Sequence, residues 1–137
     1  QNANPVMMWS QDVLHIAVFV EEKGQPAGRY EYGFGAYADR DEVVKFTGAP
    51  KDGPAVVFRS GVDAAAGTCT YEVALPWNRL APFVPAAERT FRFTFCVGDA
   101  DPQPGKGFNY LAWTPGISYG KNPADFATVV LGTALKP

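Results

Sequence analysis

The chain has 137 residues, 47% of them hydrophobic, 14% aromatic and 19% charged, which is enough apolar material for one domain with a real core and too much for a disordered segment. Twelve Lys and Arg stand against fourteen Asp and Glu, so there is no basic field to neutralise a phosphate backbone, and nucleic acid is not an expected partner. The most apolar run, residues 13–20, is interrupted by His15 and falls well short of the roughly 18 apolar residues that a spanning helix needs, so no membrane partner is expected.

The chain opens Gln1-Asn2-Ala3-Asn4-Pro5, with neither an initiator Met nor a charged-then-apolar leader, which suits a processed protein or a piece of a longer one. With 14 Gly and 12 Pro as punctuation, the segments between the breaks alternate at period two. Strands are predicted at 13–20, 29–37, 43–46, 55–59, 68–75, 90–97, 109–113 and 128–131. The clearest places Tyr30, Tyr32, Phe34 and Ala36 on a core face and Arg29, Glu31, Gly33 and Gly35 on a thinly covered one. Turn chemistry marks residues 51–54, 65–67 and 101–107, and Trp77-Asn78-Arg79-Leu80 after Pro76 reads as one short helical turn. The number and spacing of the strands predict a single all-β domain over 1–137, an antiparallel β-sandwich with immunoglobulin-like or jelly-roll-like layers and little helix.

Strand parity turns Cys69 toward Tyr71, Val73 and Leu75, but turns Cys96 away from Phe91, Phe93, Phe95 and Val97. The two cysteines are therefore expected as free thiols.

Catalysis has no positive signal. Gly116-Ile117-Ser118-Tyr119-Gly120 has the spacing of a nucleophile elbow, but Pro115 and Pro123 bracket it where a strand and a helix are required, and His15 is far away within a strand. His15 with Met7 or Met8 offers axial haem ligands, although a hairpin at residues 10–12 would place both on one side of a macrocycle. Asp99-Ala100-Asp101 closes a strand in a Gly- and Pro-rich turn, which fits either a solvated turn or carboxylate ligands for Ca²⁺. Residues 109–123 mix Tyr110, Trp113 and Tyr119 with amide, hydroxyl and amine groups in a Gly- and Pro-rich loop. That is the composition a sugar site needs, because a flat ring stacks on the C–H face of a pyranose while planar polar groups bond its hydroxyls. The bland alternative is that Trp113 fills the core.

Several stretches together resemble the family 9 carbohydrate-binding modules, β-sandwiches that share the fold of the sugar- and haem-binding DOMON domains. They are residues 9–18 from Trp9 to Val18, the strand from Tyr30 to Phe34, residues 71–80 from Tyr71 to Leu80, the strand end Val97-Gly98-Asp99-Ala100-Asp101, and residues 113–123 with Phe126, in the family's order. The resemblance implies a non-catalytic module that holds a glycan between two tryptophans, with calcium stiffening loops, in an extracellular or periplasmic protein and tethered to a polysaccharide-degrading catalytic domain. Trp113 would then stack, Tyr110 and Tyr119 would flank, Asn109, Arg59 and Lys121 would read hydroxyls, and Asp99 and Asp101 would bind Ca²⁺; no organic cofactor is expected. The connection from Val20 to Tyr30 is shorter than the family's, which there supplies the second tryptophan. A structural or docking domain without sugar binding is thus the alternative expectation, and a haem-binding electron-transfer domain of the same fold the third.

Overall fold

The computed structural model describes residues 12–37, 40–48, 55–100, 109–118 and 120–133. Among these, eight strands follow in order: β1 (Val13–Val20), β2 (Gly28–Ala36), β3 (Asp41–Thr47), β4 (Val57–Asp63), β5 (Thr68–Ala74), β6 (Thr90–Asp99), β7 (Asn109–Ala112) and β8 (Ala127–Val130). Helix among the described residues is confined to two 3₁₀ turns, Trp77–Leu80 and Pro123–Asp125. The chain is all-β and antiparallel, as its alternation predicts. The expected turn segments 51–54 and 101–107, Trp9, and the methionines Met7 and Met8 lie outside the described residues.

One sheet runs β3-β2-β1-β6-β7, with β8 pairing β6 beside β7, and β4 and β5 form a separate hairpin. β1 sits at the centre, with Ile16 opposite Tyr32 on one side and Phe95 on the other. This register places Leu14, Ile16, Val18, Tyr30, Tyr32, Phe34, Phe91, Phe93, Phe95 and Val97 on one face of the sheet, called inner below. The hairpin packs its own apolar residues there: Phe58 meets Phe34 at 5.3 Å between ring centroids, and Phe58 stacks on Tyr71 at 5.8 Å. Leu80 and Phe83, carried in by the 3₁₀ turn after Pro76, complete this core. Asp41 of β3 accepts hydrogen bonds from Ser60 N and Oγ and so ties the hairpin to the sheet edge.

β4 extends past the predicted end at Arg59 as far as Asp63. Nothing in the alternation of Ser60-Gly61-Val62-Asp63 asks for this; the extension comes from pairing with Thr68–Tyr71 across a turn that Asp63 organises by accepting the N–H of Ala65 and Ala66.

The other face of the sheet departs from expectation. Glu31, Gly33 and Gly35 alternate with the core tyrosines and were expected under thin cover, yet β2 is buried on both faces. The reason is tertiary. The segment between β7 and β8 folds back over this outer face and packs Ile117 and Phe126 on Ala17 and Cys96, forming a second core. Both cysteines are free: Cys69 is exposed, whereas Cys96 is buried on the outer face as parity predicts, and burial pushes its thiol up to about 11.

Candidate ligand-binding cleft

β7 ends the sheet path, and Trp113 N–H continues its ladder by donating to Phe95 O at 3.0 Å. Register sends Tyr110 and Ala112 to the outer face with Gly98 and Cys96, and Asn109 and Leu111 to the inner face. Trp113 follows the inner parity: its ring lies nearly parallel to Phe95 at 5.7 Å and tilted on Phe93 at 6.1 Å, while 52% of the residue stays exposed. A large ring that is braced on one side and wet on the other does not fill the core and leaves a face on which a flat group can stack.

Beyond Trp113 the chain turns sharply. Gly116 is buried with φ 94, and a Cβ there would stand 2.5 Å from Asn122 O, so only glycine permits the two arms of the loop to close on each other. Thr114 Oγ1 donates to Thr94 Oγ1 at 2.8 Å and anchors the first arm; Arg92 donates to Ala124 O at 3.1 Å and anchors the second. The result is a cleft of about 480 Å³ lined by Asn109, Tyr110, Ala112, Trp113, Thr114, Pro115 and Ser118. That volume lies within the range of small-ligand sites.

The expected sugar-reading set is therefore divided. Asn109, Tyr110 and Trp113 come together in the cleft, and Ser118 joins them as a lining hydroxyl. Tyr119 lies outside the described residues. Arg59 stands on the hairpin strand β4, where its guanidinium turns back to Phe58 O at 2.8 Å, and it does not line the cleft. Lys121 also does not line it; its ammonium donates to Glu31 Oε2 at 2.8 Å.

Glu31 is the functional-looking residue that sequence reasoning passed over. It is 2% exposed on the outer face of β2 and lies under the loop. Arg29 takes one carboxylate oxygen through Nε at 2.7 Å and also through its terminal nitrogen, and Lys121 takes the other. Burial pushes this carboxyl up, but His15, Lys121 and Arg29 outweigh it and hold it at about 2. His15 Nε2 stands 3.5 Å from Oε2, a longer contact than that of the Lys121 ammonium. The available signal was the lone carboxylate among glycines on a strand rich in core tyrosines, although nothing local says which cations reach it.

His15, weighed above as an axial haem ligand, packs its ring on Phe46 at 4.9 Å and directs Nε2 at Glu31. Asp99 is exposed at the end of β6 opposite Asn109, and Asp12 is nearby, accepting Ala100 N–H at 2.8 Å. Asp101 lies outside the described residues, and among those described no three acidic, histidine or cysteine side chains form a metal-binding group. No helix among the described residues is long and apolar enough to cross a membrane.

No family model, no curated protein and no solved structure matches the chain.

Proposed function

We propose that this chain is a non-catalytic carbohydrate-binding module, accessory to a secreted polysaccharide-degrading enzyme. One observation carries the reading: a half-exposed tryptophan, braced from behind by two phenylalanines, forms a wall of a small cleft whose other walls carry amide, phenol and hydroxyl groups. The ordered resemblance to family 9 modules supports it. Binding would proceed by stacking a pyranose C–H face on Trp113 while Asn109, Tyr110 and Ser118 exchange hydrogen bonds with its hydroxyls, and no covalent bond changes. Affinity is expected to be modest, because an open sugar site leaves water competing for each of those bonds. Calcium belongs to the same proposal, with Asp99 and Asp101 as its carboxylate ligands.

The test is calorimetric titration with mono-, di- and polysaccharides on the parent and on Trp113→Ala, each with and without a chelator. Trp113 is half exposed, so the variant should fold with a loss on the order of 1 kcal/mol. Saturable heat in the parent that falls at least roughly tenfold in a folded variant is the expected result. Absence of heat with every glycan overturns the reading, and an affinity unchanged by chelator removes calcium from it.

A docking or structural domain is the second reading, and a different observation favours it. Between the hairpin and the β6 half of the inner face lies an open groove of about 740 Å³, walled by Leu14, Ile16, Val18, Tyr71, Val73, Leu75, Trp77, Phe93, Phe95 and Val97. Leu111, beside it on β7, is 77% exposed. An apolar groove flanked by an exposed leucine is the kind of surface a docking partner would cover.

A further inference from the structure

We propose that Glu31 and Lys121 are the positioning residues of the cleft, acting through the loop and not on the ligand, an inference that rests on the sugar-site reading above. The segment from Trp113 to the 3₁₀ turn at Pro123–Asp125 contains no regular ladder among its described residues, so its shape is set by its anchors. Lys121 is the anchor that reaches deepest. Its ammonium meets Glu31 Oε2, and the Arg29 guanidinium that holds the other Glu31 oxygen also donates to Lys121 O at 3.2 Å. Side chain and backbone of Lys121 are thus both tied to one buried carboxylate.

That carboxylate favours the docked position of Lys121. Arg29 holds only Oε1, so a loop that loses Lys121 leaves the buried Oε2 without a cation at hydrogen-bond distance, and lifting the loop to admit water to that oxygen is the expected relief. His15 Nε2 faces the same oxygen but stands 3.5 Å away, too far to take the place of the ammonium without moving the ring. Lys121 also holds φ 50, a left-handed conformation that a lysine keeps only where its surroundings enforce it. Between this anchor and Trp113 lie Ser118, which lines the cleft, and Gly116, whose close approach to Asn122 transmits the position of one arm to the other.

Two readouts test the proposal, one of them without ligand. Backbone hydrogen exchange is followed in the parent, Lys121→Met, Lys121→Arg and Glu31→Gln, and the same proteins are titrated with cellobiose, xylobiose and longer oligomers. The expected result for Lys121→Met is exchange at least roughly tenfold faster across residues 114–126 with β1 and β6 unchanged, a matching loss of glycan affinity, and recovery of both in Lys121→Arg. A merely structural salt bridge would slow or speed exchange throughout, and the arginine would not restore affinity selectively. Unchanged loop exchange in Lys121→Met overturns the clamp even if Glu31→Gln fails to fold. A loosened loop with undiminished affinity overturns the positioning role. If no parent glycan binding is found, the sugar-site reading falls, while the exchange data still decide whether Lys121 holds the loop.

Discussion

At Glu31 the balance of forces can be followed through one side chain. Removing a carboxylate from water is costly, and it is tolerated here because Arg29 and Lys121 reach it from the rim with their own heads partly wet. With a folded value of about 2 against the ordinary 4.5, the sign is that of a depressed acid. Its contribution is fully present above about pH 4.5 and is lost as pH falls toward 2. At about 1.4 kcal/mol per unit the ceiling is roughly 3 kcal/mol, and screening of the two solvent-facing cations brings the expected figure down to about 1–2 kcal/mol. The stability difference between the parent and Glu31→Gln, measured by urea unfolding, should therefore be flat from neutral pH down to about pH 4.5 and shrink below it. A difference that stays constant down to pH 2 would show that the carboxylate is not held ionised by its neighbours.

At the level of elements, the decisive one is the connection between β7 and β8. A few extended residues would have joined them along the edge of β6, since both run antiparallel to that strand in successive registers. Instead the chain crosses the sheet edge, buries Ile117 to 1% exposure and Phe126 to 4%, and returns. This detour closes the outer core and, by the same geometry, walls the cleft. Gly116 is where it is most sensitive: an added methyl group must push against Asn122 O, Asp125 and Phe126, in a backbone region that L residues rarely adopt. Gly116→Ala is expected to cost about 1–3 kcal/mol and to weaken glycan binding along with it, as read by thermal unfolding and calorimetry on the same sample. Full stability in that variant would mean that the loop closes differently.

Over the whole molecule the two sheets are unequal. Among the described residues six strands make the large one and two the small one, so the hairpin covers β1 and β2 through Phe58 and Tyr71, while a groove remains along the inner face of β6. Trp113 stands on the ridge between the two concavities: its ring rests on Phe93 and Phe95, which wall the groove, and it also lines the cleft. The groove predicts that the native protein enhances and blue-shifts the fluorescence of anilinonaphthalene sulfonate at neutral pH while near-ultraviolet circular dichroism stays intact, and that Val97→Asn reduces the effect. A dark dye with native dichroism would show the groove to be filled, and would remove the observation that favours a docking role.

Alternation by itself determined the strands, because period two is a local property: Tyr30, Tyr32 and Phe34 face one way whatever packs on them, and Cys96 turns opposite to Phe95 and Val97 for the same reason. The aromatic and polar composition of residues 109–123 likewise marked a segment of which the part from Asn109 to Ser118 lines the cleft. What parity could not supply was the partner of each face. Sequence local to β2 shows a carboxylate between an arginine and glycines; only the fold brings a lysine ninety residues later to within 2.8 Å of it, converting a face expected to be thinly covered into a buried one. The same long-range event withdrew Lys121 from the expected sugar-reading set, and the hairpin register kept Arg59 on a separate layer. Secondary structure follows from neighbours along the chain, whereas burial, charge pairing and the cleft depend on which distant segment the closed sheet admits, and that is decided by packing.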